Sequence, residues 1–403
     1  MNRINQIAKV EVDLPREVDD EVAGDIEKES VFVSPHLERI EVAEDGAHAI
    51  LHLREPEMAE EVVGKATRFL EAMCKRLTGF ETNVIGATVR RDNGAYLPDA
   101  HAELVKQGWV FDYGDGYSAY RGPVLNFVRL LNAKVEALYR ECFGFEDAHF
   151  PAFIDHETLH RAGYIESHPT AISMVANVIE DFDALESYRV ANSCADAHSP
   201  PPKEHLHHGG VCLNPAACLP AYPTLADQTI GPEGRTISWL GRVFRYESRN
   251  VSGLDRLYEF NVREVVFVGG EDFVAERRKR AIPLILALAE WADLDMAMES
   301  ATDPFFPTVA AAKKFFQQAN DVKSEILLST LGPNGKDKKL AGGSINVHGR
   351  FFGERFNIRT DDGEAAHTGC IGLGVERWAI AAFTQHGLDP DRWPEELRTE
   401  VFK

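Results

Sequence analysis

The chain has 403 residues, 44% of them hydrophobic and 27% charged, and its formal net charge is −21 at pH 7. This length and composition predict a soluble globular protein with one large core and a smaller domain. No apolar run approaches the roughly 20 residues of a membrane span, and the N-terminus lacks the apolar core of a secretory signal. We therefore expect a cytoplasmic protein without a membrane partner. So acidic a surface also argues against a large RNA interface, unless a local basic patch overrides it.

The first 95 residues are predicted to form a small α/β domain. Residues 11–30 are acidic and poor in pattern, which indicates an exposed segment. Two alternating runs follow, RIEVAE and AHAILHL, and Asp45-Gly46 between them favours a β-hairpin. EMAEEVVGKATRFLEAMCKRL has helical spacing, and FETNVIGATV is typical of a strand, which completes an α/β unit. A second domain is predicted over residues 105–403.

A long amphipathic helix is predicted to begin at Pro123, because proline suits the first helical position. It is expected to end near Gly144, and a short strand should then lead to Pro151. Its apolar residues fall on one face at helical spacing: Val124, Phe127, Val128, Leu131, Val135 and Leu138.

The six cysteines are few and scattered, which is typical of cytosolic thiols or metal ligands and not of a disulfide framework. They are Cys74, Cys142, Cys194, Cys212, Cys218 and Cys370. The segment SPPPKEHLHHGG is predicted to be a loop because of its prolines and glycines. Its histidines, His205, His207 and His208, are interpreted as solvated loop residues in preference to metal ligands.

Two aromatic and β-branched runs, SWLGRVFRYES and LYEFNVREVVFVGG, are predicted to be strands joined by a polar turn. Since alternate residues of a strand share a face, Glu264 lies in a row with Val262 and Val266. A buried carboxylate needs a cation, a metal or hydrogen-bond donors. From the pattern alone, an internal salt bridge and a functional site both remain open.

The stretch HTGCIGLGVERWAIAAF places glycines just before an apolar helix. The free N–H groups of a helix start favour an anionic ligand, and Arg377 would add a planar fork for phosphate. A tight crossing of a helix and a strand explains such glycines equally well. Neither interpretation explains Cys370.

Three stretches together resemble the signature motifs of class II aminoacyl-tRNA synthetases. FRYE, a turn and then RLYEF are similar to motif 2, and GLGVER is similar to motif 3. The helix beginning at Pro123, with the strand that follows it, resembles motif 1, the dimer-forming element. The resemblance covers about residues 105–395. It implies an α+β fold with an antiparallel sheet flanked by helices, and a homodimer.

Within that superfamily, AACLPAYPTL, EFNVREVVFV, ATDPFF, VKSEILL and FNIRTDDGEAAHTGCIGLGVER resemble the small amino acid:carrier protein ligases. These are relatives of the zinc-dependent seryl-tRNA synthetases of methanogens. The resemblance implies that ATP activates glycine, alanine or serine to an aminoacyl-adenylate. The aminoacyl group would then pass to the phosphopantetheine thiol of an acidic carrier protein. Acylation of tRNA is the alternative, and a catalytically dead regulatory paralogue is a third hypothesis.

By matching motifs, the family's zinc ligands fall on Cys218, Glu264 and Cys370. Three protein ligands leave a position open, which the resemblance assigns to the amino group of the substrate. This explains both Cys370 and the partner that Glu264 needs. Cys194 and Cys212 are not expected to bind metal, since Cys212 lies outside the AACxxxYP match.

The resemblance also assigns the ATP site. Arg245 should hold and polarise the α-phosphate, and Glu247 should contact the adenine amino group. Phe260 and Arg377 should enclose the adenine ring between them, and Glu325 should bind Mg²⁺ near the phosphates.

Ser344 and Asn346, in SINVHG, match a strand that lines the substrate and ATP region. A role in the core or in a solvated strand is the alternative for this pair.

The N-terminal domain departs from the pattern of carrier protein ligases, which usually lack a leading domain. Methanogen-type seryl-tRNA synthetases carry one that binds tRNA, so this alternative stays open. The acidic leader disfavours it, because an RNA-binding surface should be basic. The densest basic run is Arg277, Arg278, Lys279 and Arg280. We interpret it either as a docking patch for an acidic carrier protein or as a solvated helix face.

Overall fold

The computed structural model describes residues 8–75, 83–91, 94–193, 203–301, 322–332 and 335–403. Among these residues, no helix combines the length and the apolar character needed to cross a membrane. The stretch ATDPFF and Cys194 lie largely or wholly outside the described residues.

The strands, in chain order, are β1 Ala8–Asp13, β2 Leu37–Val42, β3 His48–Leu53, β4 Val84–Thr88, β5 Val110–Gly114, β6 Tyr117–Tyr120, β7 Glu146–Asp147, β8 Phe153–Asp155, β9 Ser173–Val178, β10 Leu206–Leu213, β11 Thr229–Ile230, β12 Arg235–Phe244, β13 Glu259–Gly269, β14 Met296–Ser300, β15 Lys323–Leu331, β16 Asp337–Gly349, β17 Arg359–Thr360 and β18 His367–Gly374. The helices are α1 Asp20–Glu29, α2 Ala59–Cys74, α3 Ala100–Lys106, α4 Gly122–Phe143, α5 His156–Arg161, α6 Tyr164–Ser167, α7 Phe182–Ser193, α8 Ala221–Thr224, α9 Glu271–Ala292, α10 Phe351–Phe356, α11 Val375–His386 and α12 Glu395–Val401.

An eight-stranded sheet with the order β4-β14-β15-β16-β18-β13-β12-β7 forms the centre of the molecule. Its neighbouring strands are antiparallel except for β12 and β7, which pair in parallel. On one face, helices α4, α9 and α11 pack over a large apolar core. A second, smaller core lies on the other face. The predicted α+β fold, an antiparallel sheet flanked by helices, is confirmed.

The two faces of β13 separate these cores. Val265 and Phe267 belong to the helix-covered core, whereas Val266 and Val268 belong to the second one. Glu264 shares the second face, as the alternation in the sequence predicted, and is buried. The strand therefore holds a carboxylate inside the molecule, away from the three large helices.

Strands β1, β3 and β2, with helices α1 and α2, form a separate three-stranded unit with its own core. We call this part, Ala8–Cys74, the N-terminal unit. The hairpin at Asp45-Gly46 and the helix α2 are confirmed, and Gly46 has a φ of 65° that suits the turn. Residues 11–30 were predicted to be an exposed segment, and most of those described are at least partly exposed, but they also supply the end of β1 and the whole of α1.

Helix α1 was missed because only a few apolar side chains anchor it. Val22 and Ile26, one turn apart, enter the core of the N-terminal unit, and Lys28 and Glu29 at the end of the helix are half-buried. Asp19 caps it by accepting a hydrogen bond from the Val22 N–H at 2.9 Å.

Strand β4 was assigned to the N-terminal unit, yet it pairs with β14 at the edge of the large sheet. The division into domains over 1–95 and 105–403 stays a prediction. This strand belongs to the first range by sequence but pairs with a strand of the second.

Helix α4 follows the predicted course. Pro123 lies in its first turn, and Gly144 ends it with a φ of 58°. The predicted apolar face is buried except for Leu138, which is half-buried. The short strand β7 follows as expected.

The prediction of a loop through SPPPKEHLHHGG is wrong in its second half, because His207 and His208 lie in β10. That strand pairs with β8 and β9, and a register irregularity between His208 and Cys212 accommodates the two glycines. Propensity alone missed the strand, since pairing on both sides outweighs the glycines.

Candidate active site

A cavity of about 850 Å³ opens on the face of the large sheet that carries Glu264. All ten residues assigned from the sequence line it: Cys218, Arg245, Glu247, Phe260, Glu264, Glu325, Ser344, Asn346, Cys370 and Arg377. They come from β13, β15, β16, β18, the start of α11 and the segments before α8 and after β12. The structure thus brings together residues that are widely separated along the chain.

The ligand atoms of Cys218, Glu264 and Cys370 all lie within 4.8 Å of one another. Register brings the two strand residues together, because Val266 on β13 pairs with Cys370 on β18, and Glu264 pairs with Gly372. Cys218 reaches the same point from the turn that leads into α8. The three residues form a compact cluster of two thiols and one carboxylate.

The surroundings of this cluster suit a cation. Glu264 is only 3% exposed, and no salt bridge reaches it among the described residues. Burial and the nearby Cys218 thiol raise its pKa well above the usual range. The contact between the two thiols lowers the pKa of Cys218 and raises the pKa of Cys370. Two sulfurs and one carboxylate are a donor set that Zn²⁺ accepts, so the residues fit a zinc ion.

Asn346 connects the cluster to β16. Its Nδ2 donates to the Ser344 Oγ at 2.9 Å and to the Cys370 Sγ at 3.6 Å. A donor to a ligating sulfur orients it, and such supporting contacts tune a metal site. The structure therefore places Ser344 and Asn346 beside the cluster and inside the cavity.

His348, on the same face of β16, is a site residue that the sequence analysis missed. Its Nε2 lies 3.9 Å from the Cys370 Sγ, and its Nδ1 lies 3.2 Å from the Thr368 Oγ1. Tyr222 is close by, with its hydroxyl 3.4 Å from the same Nδ1. The alternation along SINVHG, in which positions 344, 346 and 348 share a face, was the signal that could have found it.

The other described cysteines belong to no group of potential metal ligands. Cys212 is fully buried in the second core, and the described histidines of β10 join no group of potential metal ligands. Cys74, Cys142, Cys212, Cys218 and Cys370 are all free thiols.

Arg245, Phe260 and Arg377 form the next part of the cavity. The Arg245 guanidinium lies 5.5 Å from the centre of the Phe260 ring, and its Nε donates to the Pro215 carbonyl at 2.9 Å. Arg377 donates to the Ala341 carbonyl at 2.8 Å. Its pKa is lowered by burial and by the charges of nearby arginines, which include Arg245. Two arginines held close together in a cavity favour an anionic ligand.

Arg256 is a further cation that the sequence analysis missed. Its guanidinium contacts the Glu247 carboxylate at 2.7 Å, and both side chains line the cavity. Beside it, the Lys338 Nζ contacts Asp255 at 2.5 Å. Arg256 opens the quoted stretch RLYEF, so the motif contained the residue although no role was given to it.

Glu325 lies across the cavity on β15. Its carboxylate is half-buried and 3.9 Å from the Lys323 Nζ. β15 pairs with β16, where Glu325 is opposite Ser344. The carboxylate thus lines the same cavity as the cluster and Lys338.

Glu376, the neighbour of Arg377, supports this wall from behind. Its side chain is 2% exposed and accepts hydrogen bonds from the Asn261 N–H and Nδ2 at 3.0 and 2.6 Å. The Tyr120 hydroxyl donates to it at 2.9 Å. These bonds join the start of α11 to β13 beside Phe260. A charged residue in the apolar helix after GLGV was the signal for this role.

The basic run 277–280 does not form one exposed patch. Arg277 and Arg278 are half-buried, and Arg277 stacks over the Phe273 ring at 4.0 Å. Arg280 is bound to Glu276 at 3.3 Å and to the Cys142 carbonyl. Lys279 is exposed. The helical period spreads the four cations around α9, so the face open to a partner carries less charge than the sequence suggests.

No protein-family model matches the chain. Several curated relatives match over most of it. It is 30% identical over 295 residues to amino acid–[acyl-carrier-protein] ligase 1 of Bradyrhizobium diazoefficiens, covering 70% of this chain and 84% of the relative. It is 29% identical over 315 residues to the type-2 serine–tRNA ligase of Methanopyrus kandleri, covering 75% of this chain. The match spans 60% of that ligase's length.

Solved structures of tRNA synthetases are also similar to this chain. The M. kandleri SerRS, in a complex with A. aeolicus tRNASec, matches 98% of this chain and 77% of its own, with a TM-score of 0.69 and 25% identity. The Giardia lamblia prolyl-tRNA synthetase shares the fold at a TM-score of 0.50 and 14% identity, over 70% of this chain and 52% of its own.

The fold is therefore that of the class II aminoacyl-tRNA synthetases. Within this class, the chain belongs to the family of amino acid–[acyl-carrier-protein] ligases, whose type-2 serine–tRNA ligase homologues it also resembles.

Proposed function

We propose that this protein uses ATP to activate a small amino acid and then passes it to the phosphopantetheine thiol of a carrier protein. One observation carries the proposal: a cluster of two thiols and a carboxylate shares a single cavity with Arg245, Phe260 and Arg377. A volume of about 850 Å³ is sufficient for a nucleotide and a small amino acid side by side.

In this proposal, Cys218, Glu264 and Cys370 hold a zinc ion whose open position binds the amino group of the substrate. The ion orients the amino acid, so that its carboxylate faces the ATP. Asn346 holds the Cys370 sulfur in place through its Nδ2. Glycine, alanine and serine are the proposed substrates.

The nucleotide occupies the other end of the cavity. Arg245 stabilises the charge that develops at the α-phosphate during attack by the carboxylate, and Phe260 and Arg377 enclose the adenine. Glu247 accepts a hydrogen bond from the adenine amino group, and Glu325 binds Mg²⁺ near the phosphates. Arg256 pairs with Glu247 through the Oε2 atom, which leaves the other carboxylate oxygen to accept the bond from adenine.

Acylation of tRNA is a second candidate function, and one observation favours it. The match to the M. kandleri SerRS extends over 98% of this chain, so it includes the N-terminal unit that carrier protein ligases usually lack. The net charge of −21 opposes it, since a tRNA-binding surface should be basic. We therefore place the carrier protein first.

Two assays test the proposal. The first is pyrophosphate exchange with each of the twenty amino acids. Activity with a small amino acid is expected, whereas none with any amino acid would support a catalytically inactive paralogue. The second assay incubates the enzyme, ATP and the preferred amino acid with a phosphopantetheinylated carrier protein, and in parallel with total tRNA. An acylated tRNA beside an unmodified carrier protein would overturn the choice of acceptor.

A homodimer through helix α4 is part of the same proposal. Light scattering of the purified protein checks it, and a single mass near the 44.9 kDa of one chain would contradict it.

A further inference from the structure

The N-terminal unit forms part of the wall of the active-site cavity. Lys28 and Glu29, at the end of α1, and Phe32 just after them line the same cavity as Arg245 and Glu264. The unit has a core of its own, separate from the two cores of the large sheet. Its position beside the cavity therefore needs a separate explanation.

The contact is made to the segment between β12 and β13, residues 245–258, which we call the motif 2 loop. The Arg249 guanidinium donates to the carbonyls of Leu37 and Glu38 at 3.1 and 3.0 Å. The Asn250 Nδ2 donates to the Lys28 carbonyl at 2.9 Å. All three acceptors are main-chain atoms of the N-terminal unit, so the recognition depends on the backbone path and not on particular side chains.

The same loop carries cavity residues at its far end. Asp255 and Arg256 line the cavity, and Arg256 binds Glu247 at the other end of the loop. Other contacts hold different points: the Leu254 N–H lies 3.3 Å from the His101 Nδ1, and Lys338 binds Asp255. The N-terminal unit thus holds Arg249 and Asn250, while Val251 beside them lies against Gly116 of the catalytic domain.

We infer that Arg249 and Asn250 are positioning residues through which the N-terminal unit fixes the motif 2 loop for nucleotide binding. This inference depends on the proposed function, since it takes the loop to face ATP. Neither side chain lines the cavity, so both act through the loop. Without their hydrogen bonds the loop is no longer preorganised. Part of the binding free energy of ATP must then be used to order the loop, so the affinity for ATP falls.

The test uses the full-length double variant Arg249→Ala/Asn250→Ala in pyrophosphate exchange. The KM for ATP should rise about tenfold, while the KM for the amino acid stays within about twofold, because only the nucleotide end faces the loop. Arg249→Lys, combined with native Asn250, should restore most of the ATP affinity. Arg189→Ala is the control, since Arg189 is an exposed arginine that pairs with Glu186 on α7.

A second measurement does not require activity. Hydrogen exchange of the loop amides should be faster in the double variant, with β13 and the N-terminal core unchanged. Wild-type ATP affinity together with unchanged loop exchange would overturn the inference. If the wild-type protein activates no amino acid, the proposed function fails. Loop exchange and the calorimetric affinity for ATP then still decide the role of Arg249 and Asn250.

Discussion

Gly372 is positioned directly beneath the carboxylate of Glu264. The two residues are paired in the β13–β18 ladder, and a Cβ on residue 372 would lie 2.5 Å from the Glu264 Oε2. No real contact is that short, so a side chain at this position would displace the carboxylate from the thiols. The first glycine of GLGVER thus makes room for the buried carboxylate of Glu264.

Gly372→Ala should therefore lose zinc while the protein remains folded, because the clash falls on a side chain at the edge of a cavity. Metal analysis of the purified variant checks this, with a fall to below about half the wild-type content expected. Gly64→Ala is the control, since a Cβ there meets nothing within 4 Å and alanine favours a helix. Undiminished zinc in Gly372→Ala would show that Glu264 does not bind the metal.

Cys218→Ser and Cys370→Ser should each remove the zinc and abolish amino acid activation. A neutral hydroxyl cannot replace the charge of a thiolate ligand. Cys142→Ser, at a half-buried thiol outside the cavity, should retain both. Wild-type protein that contains no zinc, and that stays fully active after chelation, would contradict the site as a whole.

Arg245→Ala should reduce the rate of activation by about a hundredfold, equivalent to a loss of about 3 kcal/mol in the transition state. Binding of the amino acid should change far less, because the arginine acts at the phosphate. Arg242→Ala is the matched control: it removes an exposed arginine of the preceding strand that pairs with Glu259 outside the cavity. Near-normal turnover in Arg245→Ala would refute the assignment of motif 2.

Glu376→Gln should change how stability depends on pH. Burial raises the pKa of Glu376 above its ordinary value of 4.5, so the unfolded chain loses this proton first as pH rises. The wild-type protein therefore loses stability from about pH 4.5 up to the folded pKa, and the glutamine variant lacks this loss. Over that pH range, the free energy of unfolding of the wild type should therefore fall relative to that of the variant.

Urea unfolding at several pH values between 4.5 and 8 measures this shift. Glu396→Gln removes the same charge at an exposed position on α12 and serves as the control. Parallel pH profiles for wild type and Glu376→Gln would contradict the expectation.

Lys279→Glu tests one of the two exposed cations of the basic run, the other being Arg280, which is bound to Glu276. If α9 docks an acidic carrier protein, the variant should slow transfer at low salt and leave pyrophosphate exchange unchanged. The effect should shrink as salt is raised. Unchanged transfer at low salt would contradict the hypothesis that this surface docks the carrier protein. It would not affect the choice of acceptor.

The sequence by itself determined strands β12 and β13 and helix α4, through period-two alternation and a helical apolar stripe. The class II fold and ten of the residues that line the cavity were predicted from the resemblance of its motifs to those of a known family. The sequence also indicated that Glu264 needed a partner, because a carboxylate in an apolar row is costly to bury.

Only the tertiary structure decided which distant residues meet. Strand register joined Glu264 to Gly372 and Asn346 to Cys370, and packing brought His348 and Arg256 into the cavity. Pairing partners likewise decided that Val84–Thr88 joins the large sheet, and a few buried apolar side chains decided that α1 is a helix. Such contacts depend on long-range pairing and burial, which local propensity and spacing do not encode.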